Sequence, residues 1–263
     1  MENTKGYALV TGASKGIGKE IARQLAQQGW PLLLVARSED LLLQLKTEFE
    51  AAYKVPVAIF AADLAQPEVP MNIVGFCQQK GLRVQILINN AGFGVWDKFE
   101  KASFAELEAM NALNVNALLR MCHAFLPLLR QNRQAWLLNV ASLGAYQPLP
   151  YLALYGAGKA YVRSFTYALR AELRDSPISV TCLSPGSVYT DFADRAGSLS
   201  VVESNKRFTM SAEQCARTTL KAMFRGKAET IPGWYNRLGA LLTKISPTTV
   251  TARAAGRIMF KPD

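Results

Sequence analysis

The chain has a single histidine, His123, in 263 residues. Ser-His-Asp hydrolysis and histidine-ligated zinc chemistry both need imidazole at the reacting atoms, so one His in the apolar stretch Leu118 to Leu129 weighs against both. Its expected role is packing or surface exposure. Cysteine is also sparse: Cys77, Cys122, Cys182 and Cys215 are scattered with no Cys-x-x-Cys pair. That pattern suits neither a disulfide framework nor a zinc site, and it points to a reducing, cytoplasmic setting. Long apolar runs are missing as well. Stretches such as Leu32 to Ala36 fall far short of the roughly 18 residues that span a bilayer, and Met1 to Lys5 does not read as a secretory leader. A soluble protein is expected. Acidic residues are outnumbered 20 to 30 by Lys and Arg, a net charge of +10.

The chain instead has apolar runs rich in Val, Ile and Leu, alternating with longer amphipathic stretches, which predicts a Rossmann-like, doubly wound parallel β-sheet flanked by helices. Seven strands are expected, near 7–11, 32–36, 55–61, 84–88, 135–141, 178–183 and 230–231. Helices are expected over 18–28, 39–53, 67–79, 104–109, 114–130, 155–174 and 212–224. With no repeat, low-complexity tract or linker, residues 1–263 read as one domain. Two regions break the rhythm. Ser187 to Ser211 carries Val188, Phe192, Leu199, Val201, Val202, Phe208 and Met210, and fits either a lid with an apolar inner face or an irregular loop. From about Trp234 the chain reads as a basic, partly amphipathic extension.

Three patterns carry chemistry. Thr11-Gly12-Ala13-Ser14-Lys15-Gly16-Ile17-Gly18 lies between a predicted strand and helix, where glycines let backbone approach a pyrophosphate at the helix N-terminus. Arg37 follows the second strand, where NAD-selective folds commonly place an acid, and Lys15 sits in the turn itself. Two cations so placed suit a 2′-phosphate. Finally, Tyr155 and Lys159 are four residues apart on one predicted helical face, and Ser142 precedes Tyr155 by 13 residues across a strand end. The Lys charge favours the phenolate, so Tyr155 is expected as an acid/base with Lys159 lowering its pKa.

Together with Asn89-Asn90-Ala91-Gly92 and Pro185-Gly186-Ser187-Val188-Tyr189-Thr190, these patterns resemble the short-chain dehydrogenase/reductase family, in its metal-free Tyr-Lys form and NADP-preferring branch. The resemblance runs from about Tyr7 to about Trp234. It implies an oxidoreductase that moves hydride between NADP(H) and a carbonyl or alcohol, with catalytic residues Asn114, Ser142, Tyr155 and Lys159. Ser142 would donate to the substrate oxygen, Lys159 would also touch the nicotinamide ribose, and Asn114 would hold a relay water. Asn114 is chosen among Asn111, Asn114 and Asn116 by its distance to Leu126-Pro127, and Asn116 is the alternative. The implied cofactor contacts are Gly12, Ser14, Lys15, Gly16, Ile17, Gly18, Arg37, Asp63, Leu64, Asn90, Ala91, Gly92, Tyr155, Lys159, Pro185, Gly186, Val188 and Thr190. Gly158, where many relatives carry Ser, is a departure that removes no proton-transfer group.

Phe93, Val95, Trp96, Leu143, Tyr146, Leu149 and Tyr151 cluster near these motifs and predict an apolar substrate of steroid, 3-oxoacyl or aromatic-ketone type. The resemblance further implies a homodimer or homotetramer. Between Arg225 and Asp263 seven basic residues face two acids, a surplus of five. No nucleic-acid motif accompanies them, so peripheral membrane contact or a solvated basic surface is expected instead. A non-catalytic, dinucleotide-responsive binding protein, or a membrane-peripheral one using this tail, is the alternative reading.

Overall fold

The computed structural model describes residues 5–192, 196–197 and 208–260. Its first half runs β1 (Tyr7–Thr11), α1 (Gly16–Gln27), β2 (Leu32–Ala36), α2 (Glu39–Tyr53), β3 (Val57–Ala61), α3 (Val69–Gln79), β4 (Val84–Asn89) and α4 (Phe104–Asn111). A π-helical turn, Ala112–Ala117, joins α4 to α5 (Leu118–Arg130), followed by β5 (Ala135–Val140), α6 (Ala153–Glu172) and β6 (Ile178–Leu183). Then come two-residue strands β7 (Val188–Tyr189) and β8 (Met210–Ser211), α7 (Ala212–Phe224), β9 (Glu229–Thr230), α8 (Trp234–Ile245) and α9 (Thr248–Ile258).

Seven strands form one sheet in the order β3-β2-β1-β4-β5-β6-β9, and every pairing is parallel. Successive strand residues point to opposite faces, so each strand feeds two cores. Ala8 and Val10 pack with α1, α2 and α7, through Ile21, Leu25, Phe49 and Leu220. Leu9 packs with α3, α5 and α6, through Ile73, Phe125, Leu129 and Val162. The connections reverse direction at the β1/β4 junction, and a crevice opens there beyond the strands' C-terminal ends. The sheet's centre is polar: Asn89 Nδ2 donates to Asn139 Oδ1 at 2.9 Å, and Asn139 Nδ2 donates to Thr166 Oγ1 on α6 at 3.0 Å.

Several expected boundaries move. The third strand starts at Val57, not Val55, because Pro56 has no N–H for the ladder, although its carbonyl accepts from Leu32 N at 2.9 Å. Helix α1 begins at Gly16, inside the glycine turn. The two helices expected over 104–109 and 114–130 are one continuous helix of 27 residues, apolar and long enough by composition to cross a membrane, contrary to the sequence expectation. Its buried residues, among them Met121, Phe125 and Leu129, pack in the core against the sheet. Asn114 therefore lies within a helix, in its π-helical turn, and not at a helix start. Of the expected lid, Leu199, Val201 and Val202 lie outside the described residues.

The C-terminal stretch, expected as an extension, folds back as α8 and α9. Trp96 Nε1 donates to Met259 O at 3.0 Å, and Trp96, Leu149, Leu152 and Ala255 form a small third core. The edge strand β9 is tied to the body by Glu229. Arg163 Nε and Nη2 reach its two carboxylate oxygens at 3.0 and 3.1 Å, Tyr167 Oη donates at 2.8 Å and Ser184 Oγ at 2.7 Å. Burial alone would raise the Glu229 pKa, but the hydrogen bonds from Arg163 and its neighbours hold it below the usual carboxylate value. Arg163→Ala leaves this carboxylate buried without its cation, and should cost about 3–5 kcal/mol of stability near neutral pH, measured by denaturant unfolding. Because the folded-state pKa is depressed, the wild-type contribution is present above the unfolded carboxylate pKa and lost as pH falls through the folded value. The gap between wild type and variant should shrink accordingly in acid.

Candidate active site

The crevice is a cavity of about 760 Å³ that runs from the glycine turn to the Ser142, Tyr155 and Lys159 side chains. Sequence dictates its floor. Gly12 and Gly16 have φ of +63° and +56°, which residues with a Cβ rarely adopt. A Cβ at Gly18 would stand 2.4 Å from both the Gly12 carbonyl oxygen and Asn90 Nδ2. Only a backbone stripped of side chains fits this turn against β4. The first turn of α1 has neither a side-chain cap nor an acidic residue, so its N–H groups and positive dipole end suit an anion. Thr11 locks the turn in place: its Oγ1 donates to Ile88 O at 3.1 Å and accepts from the backbone N–H of Asn90 and Ala91 at 2.9 and 3.1 Å. Asn90 Nδ2 donates to the carbonyls of Thr11 and Gly12, at 2.9 and 3.2 Å. These residues fit a dinucleotide.

Arg37, directly after β2, and Lys15, in the glycine turn, both line the same cavity. The Lys15 ammonium lies 2.8 Å from the Asp191 carboxylate, both largely exposed. Asp63 Oδ1 accepts from Ala65 N at 3.0 Å, which shapes the turn after β3 as well as facing the cavity. On the far side, a Cβ at Gly186 would strike the Asn236 amide of α8 at 2.5 Å, so Gly186 lets the C-terminal helix press against the Pro185 loop.

At the reacting end, Ser142 Oγ accepts from Gly144 N at 3.0 Å, which leaves its hydroxyl proton to donate. Tyr155 is partly buried, packed against the third core of Trp96, Leu149, Leu152 and Ala255. Burial pushes its phenol up to about 12, opposed by its hydrogen bond with Ser142. Burial likewise pulls Lys159 down to about 8. The Lys159 ammonium donates to Val140 O at 2.8 Å and lies 5.7 Å from the centre of the Tyr155 ring. Desolvation outweighs the Ser142 hydrogen bond, so Tyr155 is a neutral phenol at pH 7 with the Lys159 ammonium beside it. Asn114 Nδ2 donates to Phe93 O at 2.8 Å and its Oδ1 accepts from Phe93 N at 3.0 Å, so its side-chain amide clamps the Phe93 backbone.

Of the expected site residues, only Gly18 and Asn114 do not face the cavity, and both shape its wall from behind. The expected apolar cluster divides. Phe93, Leu143 and Leu149 line the cavity, whereas Val95, Trp96, Tyr146 and Tyr151 do not. Trp96 is spent on the third core, and Tyr146 lies under the Arg163 guanidinium at 4.4 Å, its pKa raised by burial and by Glu229. Tyr151 adopts a left-handed φ of +67° and sets its ring edge-on to Phe260, 6.1 Å away. Phe192, 5.6 Å from the Tyr155 ring, and Phe208, both named in the expected lid or loop, line the cavity, as do three residues that sequence reading did not place here, Asn236, Ile258 and Met259. The last three lie on or just after α8 and α9, which reach the site only through tertiary packing, so no local pattern marks them. Thr11 had a signal, as the polar end of an otherwise apolar strand.

A glycine-floored anion cradle, continuous with the Ser142, Tyr155 and Lys159 group at the switch point of a parallel sheet, has the make-up of a dinucleotide-dependent oxidoreductase site. Comparison with known proteins agrees. Residues 6–199 match the family model described as short chain dehydrogenase, and the chain belongs to that family of oxidoreductases acting on alcohol and carbonyl groups. It is 34% identical over 239 residues to a very-long-chain 3-oxoacyl-CoA reductase of Kluyveromyces lactis, covering 88% of this chain and 69% of that one. It is 35% identical over 186 residues to a sulfoacetaldehyde reductase of Chromohalobacter salexigens, covering 70% and 73%. Among solved structures, a short-chain dehydrogenase from Sphingobium yanoikuyae in complex with NADPH superposes with a TM-score of 0.81 at 29% identity, over 91% of this chain and 93% of that one.

Proposed function

We propose that this protein is an NADP(H)-dependent reductase of apolar ketones or aldehydes, of steroid, 3-oxoacyl or aromatic-ketone type. The observation that carries the reading is the neutral Tyr155 phenol beside Ser142, lining a cavity whose other end is the glycine cradle. The cradle, Asp63, Asn90, Val188 and Thr190 would hold a nicotinamide dinucleotide, which supplies the hydride when bound, and Arg37 with Lys15 favours the 2′-phosphate form. Relatives that reduce a very-long acyl-CoA and a small sulfonated aldehyde share this frame, so the substrate class is argued from the chain's own walls. Those walls are apolar: Phe93, Leu143, Leu149, Leu152, Phe192 and Met259.

The proton chemistry follows from the side chains. The Ser142 hydroxyl donates to the carbonyl oxygen and steadies the charge that grows there. Tyr155 then gives its phenolic proton to that oxygen, and the Lys159 ammonium beside it stabilises the phenolate left behind. A phenol with a pKa near 12 is held at neutral pH in the form that donates, as the reductive direction requires. Alcohol oxidation needs the phenolate and should rise toward alkaline pH. Asn114, by fixing Phe93, keeps the wall opposite Lys159 in place.

The test is cofactor consumption with NADPH and with NADH across apolar ketones, aldehydes and 3-oxoacyl thioesters. Turnover selective for NADPH is expected on at least one class. Preference for small charged carbonyls would overturn the substrate reading, and no turnover of any carbonyl by a protein that binds NADPH would overturn the reductase itself.

A further inference from the structure

Helix α8 is built inside out. Trp234, Leu238, Leu241 and Ile245 recur at i, i+4, i+7 and i+11, one continuous helical stripe with Leu242 beside it, and all five face solvent. Trp234 is 75% and Ile245 73% exposed. The side turned to the protein is small and polar, with Asn236 and Ala240 buried. A helix of a soluble protein has the opposite arrangement. Helix α9 continues the pattern, with Val250 and Ile258 exposed while Thr251 and Ala255 are buried.

Charge selects the occupant of this face. From Trp234 to Phe260 the sequence has four basic residues, Arg237, Lys244, Arg253 and Arg257, and no acidic one. Arg237 and Lys244 are seven apart and flank the apolar stripe. A second copy of the chain paired face to face would bring these cations together with no carboxylate from the same surface to meet them. An apolar layer topped by anionic headgroups satisfies both the stripe and its flanks. We propose that α8 and α9 dock this protein on the surface of an anionic lipid bilayer, with Trp234 and the Leu stripe entering the acyl boundary. Ile258 and Met259, at the end of α9, line the cavity, so its α9 wall adjoins the docked surface. Docking itself does not depend on which carbonyl the site reduces.

Co-sedimentation of the full chain with phosphatidylcholine–phosphatidylserine vesicles tests this, alongside pure phosphatidylcholine vesicles. Binding is expected to the anionic vesicles, to weaken with salt, and to fall about tenfold or more in Leu241→Asn/Ile245→Asn and in Arg253→Gln/Arg257→Gln. These positions are exposed and outside the catalytic group, so thermal unfolding and turnover in solution should stay as in wild type. Trp234 is the one exposed tryptophan among the described residues, Trp30, Trp96 and Trp136 being buried. A blue shift of emission on adding anionic vesicles, absent in Trp234→Phe, is therefore expected. No partition into anionic vesicles, or partition unchanged in both double variants, would overturn the proposal. So would a dimer that the Leu241→Asn/Ile245→Asn variant dissociates in sedimentation velocity without any vesicle binding, since the face would then pair copies of the chain.

Discussion

Tyr155→Phe should lower reductive turnover by about 10² or more, while NADPH binding stays close to wild type. The ring is kept, so its contact with Phe192, 5.6 Å away, and its place beside α9 survive. What disappears is the phenolic proton beside the reacting oxygen, while Ser142 is held by Gly144 N in an orientation that polarises that oxygen. The pH profile separates this role from a packing role. With the phenol near 12, wild-type reduction should not lose its acid anywhere between pH 6 and 9. With Lys159 near 8, the ammonium that stabilises the phenolate is lost as pH rises through that value, and reduction should decline there. Steady-state kinetics across that range, with a single-turnover measurement of the chemical step, checks both. A variant with near-normal turnover would remove Tyr155 from the proton path.

Arg37→Asp should move the preference for NADPH over NADH by about 10- to 100-fold, the scale of one charge-assisted hydrogen bond to a phosphate lost and a like charge added. Arg37 is exposed at the rim of the cavity, directly after β2, where its guanidinium can take a phosphate bidentately. Lys15 contributes less to the preference, because a phosphate must compete with the Asp191 carboxylate 2.8 Å from its ammonium. Lys15→Ala should therefore shift the ratio by a smaller factor than Arg37→Asp. Dissociation constants for the two cofactors, with kcat/KM ratios, decide it. Equal shifts in both cofactors would mean that Arg37 does not read the 2′-phosphate.

Local signals made much of this legible. The sheet was readable because its central strands are short apolar runs, β1 followed by Gly12 and β4 closed by Asn89, and the crevice because Gly12, Gly16 and Gly18 mark a turn that larger residues would crowd. What resisted reading depends on contacts between distant segments. The helix break expected between 109 and 114 is bridged by a π-helical turn, while the Asn114 amide bonds Phe93, 21 residues away. The raised phenol of Tyr155 follows from burial, and a spacing of four residues to Lys159 carries no information about burial. After Gly233 the sequence reads only as a basic, partly amphipathic extension; that it folds into two helices, and which face of each turns inward, depends on packing against distant segments.

The polar thread from Asn89 through Asn139 to Thr166 has a further bearing on the chemistry. Thr166 lies seven residues, two turns, beyond Lys159 on the same side of α6, and its hydroxyl accepts from a side chain standing on β5. An apolar contact there would tolerate several rotational settings of the helix about its own axis. A directional bond from a strand in fixed register tolerates one. The azimuth at which Lys159 and Tyr155 face the cavity is thus indexed, two turns away, by an amide in the middle of the sheet. Reactive geometry in this protein is gauged from the core outward.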